Sequence, residues 1–125
     1  MKSILLIEDD AALSFLLERI LQPSYNVIVM NDGLEASAWL FDGNPCDLVI
    51  ADVSLPSVTG IELLENLSSS GLFNHIPVIM LASSEETKKS CMDLGAVATL
   101  VKPFNPSEFL SQVKTATDLK TESHA

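Results

Sequence analysis

The chain has 125 residues, 47% of them hydrophobic and 19% charged, which suits one folded unit with its own core and excludes a disordered chain. Seventeen acids against seven bases leave a formal net charge of −10, and this argues against nucleic-acid binding by the domain, because phosphate contacts need clustered Lys or Arg. Apolar runs of about five residues fall far short of the ~20 that span a bilayer, and Met1-Lys2-Ser3 leads directly into a strand, so a cytoplasmic protein with no membrane contact is expected.

Ile4-Leu5-Leu6-Ile7 reads as a first strand, followed at once by the acidic turn Glu8-Asp9-Asp10 and by Leu13, Leu16, Leu17 and Ile20 at helical spacing. Pro23-Ser24 breaks that helix, and Val27-Ile28-Val29-Met30 is a second strand. Asp32 with Glu35 forms a capping box for a helix with Ala36, Trp39 and Leu40 on one face, closed by Gly43-Asn44-Pro45. Leu48-Val49-Ile50-Ala51-Asp52 is continuously apolar until its final carboxylate, the pattern of a strand buried on both faces that delivers one acid to its carboxyl end. After a loop, Thr59 with Glu62 caps a helix whose buried stripe is predicted as Ile61, Leu64 and Leu67, ended by Ser68-Ser69-Ser70-Gly71. Val78 to Ala82 is the fourth strand, Ser83 with Glu86 makes another capping box, and that helix stops at Gly95. Val97 to Val101 is the fifth strand, after which Asn105, Pro106 and Glu108 start the last helix. The folded domain is expected over residues 1–118, with a flexible tail over 119–125. Met80, Met92 and Trp39 stand at apolar positions and are expected in the core; Cys46 and Cys91 read as buried, reduced thiols, and His75 and His124 as surface residues.

Five strands alternating with five helices imply parallel βαβ crossovers of one hand, and so an α/β sandwich with helices on both sides of one sheet. Ligands of such sheets bind beyond the carboxyl ends of the strands, where Glu8, Asp9 and Asp52 can meet. Two carboxylates ~5 Å apart repel by about 3 kcal/mol at an effective dielectric near 20, so three ionised acids require a cation or must take up protons. Oxygen ligands of this kind suit Mg²⁺, and Lys102 is the one basic residue predicted at the same edge. Acids, a hard cation and a lysine make a site that can handle a phosphoryl group.

Ile7-Glu8-Asp9-Asp10, Asp52 with Pro56 and Gly60 downstream, and Val101-Lys102-Pro103-Phe104, in this order and each at a strand end, resemble the receiver domains of two-component response regulators over roughly residues 2–114. The resemblance implies a doubly wound five-stranded parallel sheet, a flavodoxin-like (βα)5 three-layer sandwich. It implies Asp52 as phosphoacceptor from a histidine kinase or phosphotransfer protein. It also implies Mg²⁺ held by Asp9, Asp52, the Ser54 backbone carbonyl and, through water, Glu8. Lys102 would contact a phosphoryl oxygen, the Lys102-Pro103 bond would be cis, and Asp10 would serve as a helix cap. Such a domain accepts and can hydrolyse its own phosphoryl group without being a turnover enzyme, and no residue indicates the output partner.

Two positions depart from the family pattern. Ala82 stands where a Thr or Ser hydroxyl usually meets the phosphoryl group, leaving only the Ser83 backbone amide as a nearby donor. Thr99 stands where an aromatic residue usually reports phosphorylation, and Ala96-Val97-Ala98 lacks the acid pair of one dimerising subgroup. Beside the phosphorylation switch, the sequence therefore admits a pseudo-receiver that binds a partner without phosphate. It also admits an aspartyl-phosphate phosphatase, whose usual second acid is replaced by Ser54.

Overall fold

The structure is a computed structural model that describes residues 1–122, with side chains through residue 118. Five strands, β1 (Ser3–Ile7), β2 (Asn26–Met30), β3 (Leu48–Asp52), β4 (Val78–Ala82) and β5 (Ala98–Val101), alternate with α1 (Ala11–Leu21), α2 (Gly33–Phe41), α3 (Gly60–Ser69), α4 (Glu85–Asp93) and α5 (Pro106–Glu122). All strand pairs are parallel, in the order β2-β1-β3-β4-β5. β1 and β3 are neighbours although α1, β2 and α2 separate them in the chain, which places the reversal of strand order, and with it a crevice, between them.

The continuous apolar runs become strands because each residue of β3 and β4 finds a buried environment on alternate faces. Leu5, Ile7, Val49, Ala51, Val78 and Met80 face α2, α3 and α4; Ile4, Leu6, Leu48, Ile50, Ile79, Leu81 and Leu100 face α1 and α5. Phe109, Val113 and Ala116 of α5 and Leu17 and Leu21 of α1 close the second core. Cys46 and Cys91 are buried free thiols. Among the described residues no helix is long and apolar enough to cross a membrane.

Several local expectations shift. The buried stripe of α3 is Gly60, Leu63, Leu64 and Leu67, with Ile61 only half-buried, because Gly60 lies against β3 and fixes the rotation of the helix about its axis. The cap of α4 is Ser84 and not Ser83: the backbone is still extended at Ser84, whose hydroxyl accepts from the Thr87 amide at 3.1 Å. Asp32 caps α2 by accepting from the amides of Leu34 and Glu35. Met92 is not core; it is 41% exposed, since only Cys91 of the polar helix α4 is turned fully inward. α5 runs on to Glu122, past Asp118; residues 123–125 of the expected tail, including His124, lie outside the described residues.

Candidate functional site

Ile7 pairs with Ala51, so the next residues, Glu8 and Asp52, reach the carboxyl edge level with each other. Pleat alternation adds the side: Glu8 follows Ile4 and Leu6, Asp52 follows Leu48 and Ile50, and Lys102 follows Leu100, all on the α1 and α5 face. The three charged groups therefore converge from three strands. Lys102 Nζ donates to Glu8 Oε1 at 3.1 Å and forms an ion pair with Asp52 Oδ2. Asp52 Oδ1 accepts from the Ser54 amide at 2.7 Å, and Glu8 Oε2 from the Asp10 amide at 3.1 Å. Lys102 is itself pinned by its amide, which donates to the Ala82 carbonyl at 2.8 Å, and the following Lys102-Pro103 bond is cis. Asp10 caps α1, accepting from the Leu13 amide.

Glu8 and Asp52 are 1% and 4% exposed. Burial, aided by the contact with Asp52, pushes the Glu8 carboxyl up to about 7, while the Asp10 amide and Lys102 pull the other way. For Lys102, burial disfavours the ammonium, but the hydrogen bonds to Asp52 and Glu8 outweigh it and raise the pKa. The lysine is thus a fixed positive charge set between two acids. Without it, two buried carboxylates would face each other.

Asp9 is exposed and lines an open pocket with Glu8, Ser14, Asn31 and Glu35. Among the described residues no group of three or more His, Cys, Asp or Glu side chains is gathered closely enough to hold a metal; the Lys102 ammonium provides the counter-charge for Glu8 and Asp52. By donor chemistry, carboxylates next to a loop carbonyl still fit a hard cation such as Mg²⁺.

The end of β4 is as bare as its sequence suggests: Ala82 is fully buried with only a methyl group, and Ser83 is exposed. Thr99 lies on the other face from Lys102, buried, and its hydroxyl donates to Met92 Sδ of α4 at 3.3 Å. Sequence patterning did not anticipate that pairing, because it depends on which way α4 is rotated. Nor did it reveal how tightly α3 meets β3. A Cβ on Gly60 would stand 2.0 Å from the Asp52 carbonyl oxygen, and the Gly60 amide donates to the Val53 carbonyl at 3.1 Å. The glycine beyond the loop was the available signal.

A family model described as the response regulator receiver domain matches residues 4–114, which takes in every strand and all the converging residues. The chain belongs to this family. Receiver domains are signalling domains of two-component systems and not classical enzymes. The transcriptional regulatory protein CpxR of Escherichia coli (strain K12) is 38% identical over 117 residues, covering 91% of this chain and 48% of CpxR. This receiver domain thus spans about half the length of the curated relatives it matches. A CheY-like receiver domain protein from Methanospirillum hungatei JF-1 has a TM-score of 0.87 at 28% identity, covering 98% of both chains. The Mn²⁺-bound form of response regulator Rcp1 has a TM-score of 0.77 at 28% identity, covering 97% of this chain and 93% of that one.

Proposed function

We propose that this receiver domain is a Mg²⁺-dependent phosphorylation switch with Asp52 as the phosphoacceptor. The observation that carries the reading is the convergence of the buried Asp52 and Glu8 with the half-buried Lys102 at the carboxyl ends of β3, β1 and β5. A carboxylate oxygen of Asp52 attacks the phosphorus of a phosphohistidine; the P–N bond breaks, its electron pair stays on the imidazole nitrogen, and an aspartyl phosphate forms. Lys102 neutralises Asp52 at rest and is within reach of an incoming phosphoryl oxygen, so its charge can be handed from acceptor to product without leaving the pocket. Asp9, Asp52 and the Ser54 carbonyl, with Glu8 through water, would hold Mg²⁺, which supplies charge neutralisation on the transferring group. The phosphodonor is a histidine kinase or phosphotransfer protein. Leu16 lines a pocket that also includes Asp10 and Lys102, and with the neighbouring, exposed Phe15 it gives such a donor an apolar footing beside the site.

Ala82 and Thr99 bear on output. With no hydroxyl at position 82, the Ser83 amide is the donor left for the phosphoryl group, and Thr99, held by Met92, has no ring to swing. The test is incubation with Mg²⁺ and acetyl phosphate, read by intact mass. The wild type gains one phosphoryl group, and Asp52→Asn, or removal of Mg²⁺ by chelation, abolishes the gain. No adduct on the wild type, or an equal one on Asp52→Asn, overturns the assignment and leaves a phosphate-independent binding module.

A further inference from the structure

No Lys or Arg occurs anywhere between Arg19 and Lys88, an interval that contains α2 and α3 entire. The exposed charges of these two helices are Glu35, Asp42, Glu62 and Glu65, all acidic. Between the helices runs an apolar groove of about 410 Å³, floored by Leu40, Leu63 and Leu67 and walled by Leu34, Phe41 and Phe73. Two of the wall residues are far more open than side chains of this kind usually are: Leu34 is 60% exposed and Phe41 74%. Phe41 meets Phe73 edge to face at 5.4 Å between ring centroids, which stiffens one end of the groove.

The geometry points to a docking site for a short basic amphipathic helix of a partner protein. Leu34 and Phe41 lie seven residues apart on α2, about 10 Å along its axis, which matches two turns of a guest helix presenting apolar anchors at helical spacing. Charge then selects among occupants. A second copy docking through the same face would set Glu35, Asp42, Glu62 and Glu65 against their own counterparts, and like charges brought together oppose the contact. An anionic membrane or a nucleic acid is repelled for the same reason. A helix with Leu or Phe on one face and Lys or Arg along its flanks meets both the groove and the uncompensated acids. Glu62, next to Leu63 and one turn before Asn66 on the groove wall, is the acid best placed to pair with it.

The probe is a labelled two-heptad synthetic peptide with Leu at helical spacing and Lys elsewhere, titrated into the full chain and followed by fluorescence anisotropy and amide NMR. Controls are a peptide of the same composition with the Leu positions scrambled and one with Glu in place of Lys. Binding of the patterned Lys peptide alone is expected, with shifts confined to Leu34, Phe41, Asn66, Leu67 and Phe73. Affinity should fall with added salt and drop about tenfold in Phe41→Ser. Phe41 is largely in solvent, so that variant should keep its fold, and unchanged amide spectra away from the groove check this. Glu62→Gln, which removes the charge but keeps an acceptor for the Thr59 amide at the start of α3, should weaken binding with little loss of stability. Equal binding of the scrambled peptide, shifts centred on another face, or an undiminished affinity in Phe41→Ser would overturn the proposal. So would the absence of binding at low salt.

Discussion

At Glu8, burial and charge pull against each other. The side chain is almost wholly enclosed, one oxygen takes the Lys102 ammonium and the other the Asp10 amide, yet its pKa still rises from 4.5 to about 7. A carboxyl whose folded pKa lies above its unfolded value holds its proton more tightly when folded. Its favourable contribution is therefore full at low pH and is lost as pH rises from about 4.5 through 7. The loss is on the order of 3 kcal/mol across that window. Urea unfolding in the presence of a chelator, repeated from pH 4.5 to 8, should show wild-type stability declining more steeply than that of Glu8→Gln. Parallel curves would contradict the assignment. Lys102 explains why the acids near this edge do not push the domain apart: it stands between Glu8 and Asp52, and Asp9 is exposed to solvent.

At the scale of elements, the site depends on how closely α3 approaches β3. Gly60 packs its Cα against the backbone of Asp52 and Val53, and any side chain there must push α3 away or displace the loop that carries Ser54. Gly60→Ala should cost about 1–3 kcal/mol of stability, as overpacking does, and should slow phosphorylation of Asp52 by acetyl phosphate. Wild-type stability and rate in the variant, measured by denaturation and intact mass, would mean the helix yields freely. Strand ends, helix starts and the Asp10 and Thr59 caps were legible in the sequence because they depend on local chemistry: branched apolar runs, oxygen-bearing caps, and glycine or proline stops. Helix rotation was not. Whether Ile61 or Leu63 points inward, whether Met92 is core, and whether Ser83 or Ser84 caps α4 are set by tertiary contacts that no window of ten residues contains.

For the whole molecule, five apolar strands alternating with five helices left few topologies, and the parallel order with β1 beside β3 is among the simplest of them. The pleat then supplied what sequence alone left open. Glu8, Asp52 and Lys102 are distant in the chain, and only the register of β1 on β3 and the shared side of Leu6, Ile50 and Leu100 bring them to one pocket. That the Asp9 side chain is exposed, in an open pocket that Glu8 also lines, was not legible, because it depends on how the turn after β1 leaves the sheet. The most direct measurement is an amide NMR titration of the full chain with Mg²⁺ and beryllofluoride, compared with Asp52→Asn. Mg²⁺-dependent shifts at Ser54, Ser83 and Lys102 in the wild type, absent from Asp52→Asn, are the predicted result. No shifts at these residues, or the same shifts in the variant, would contradict a phosphoryl site built on Asp52.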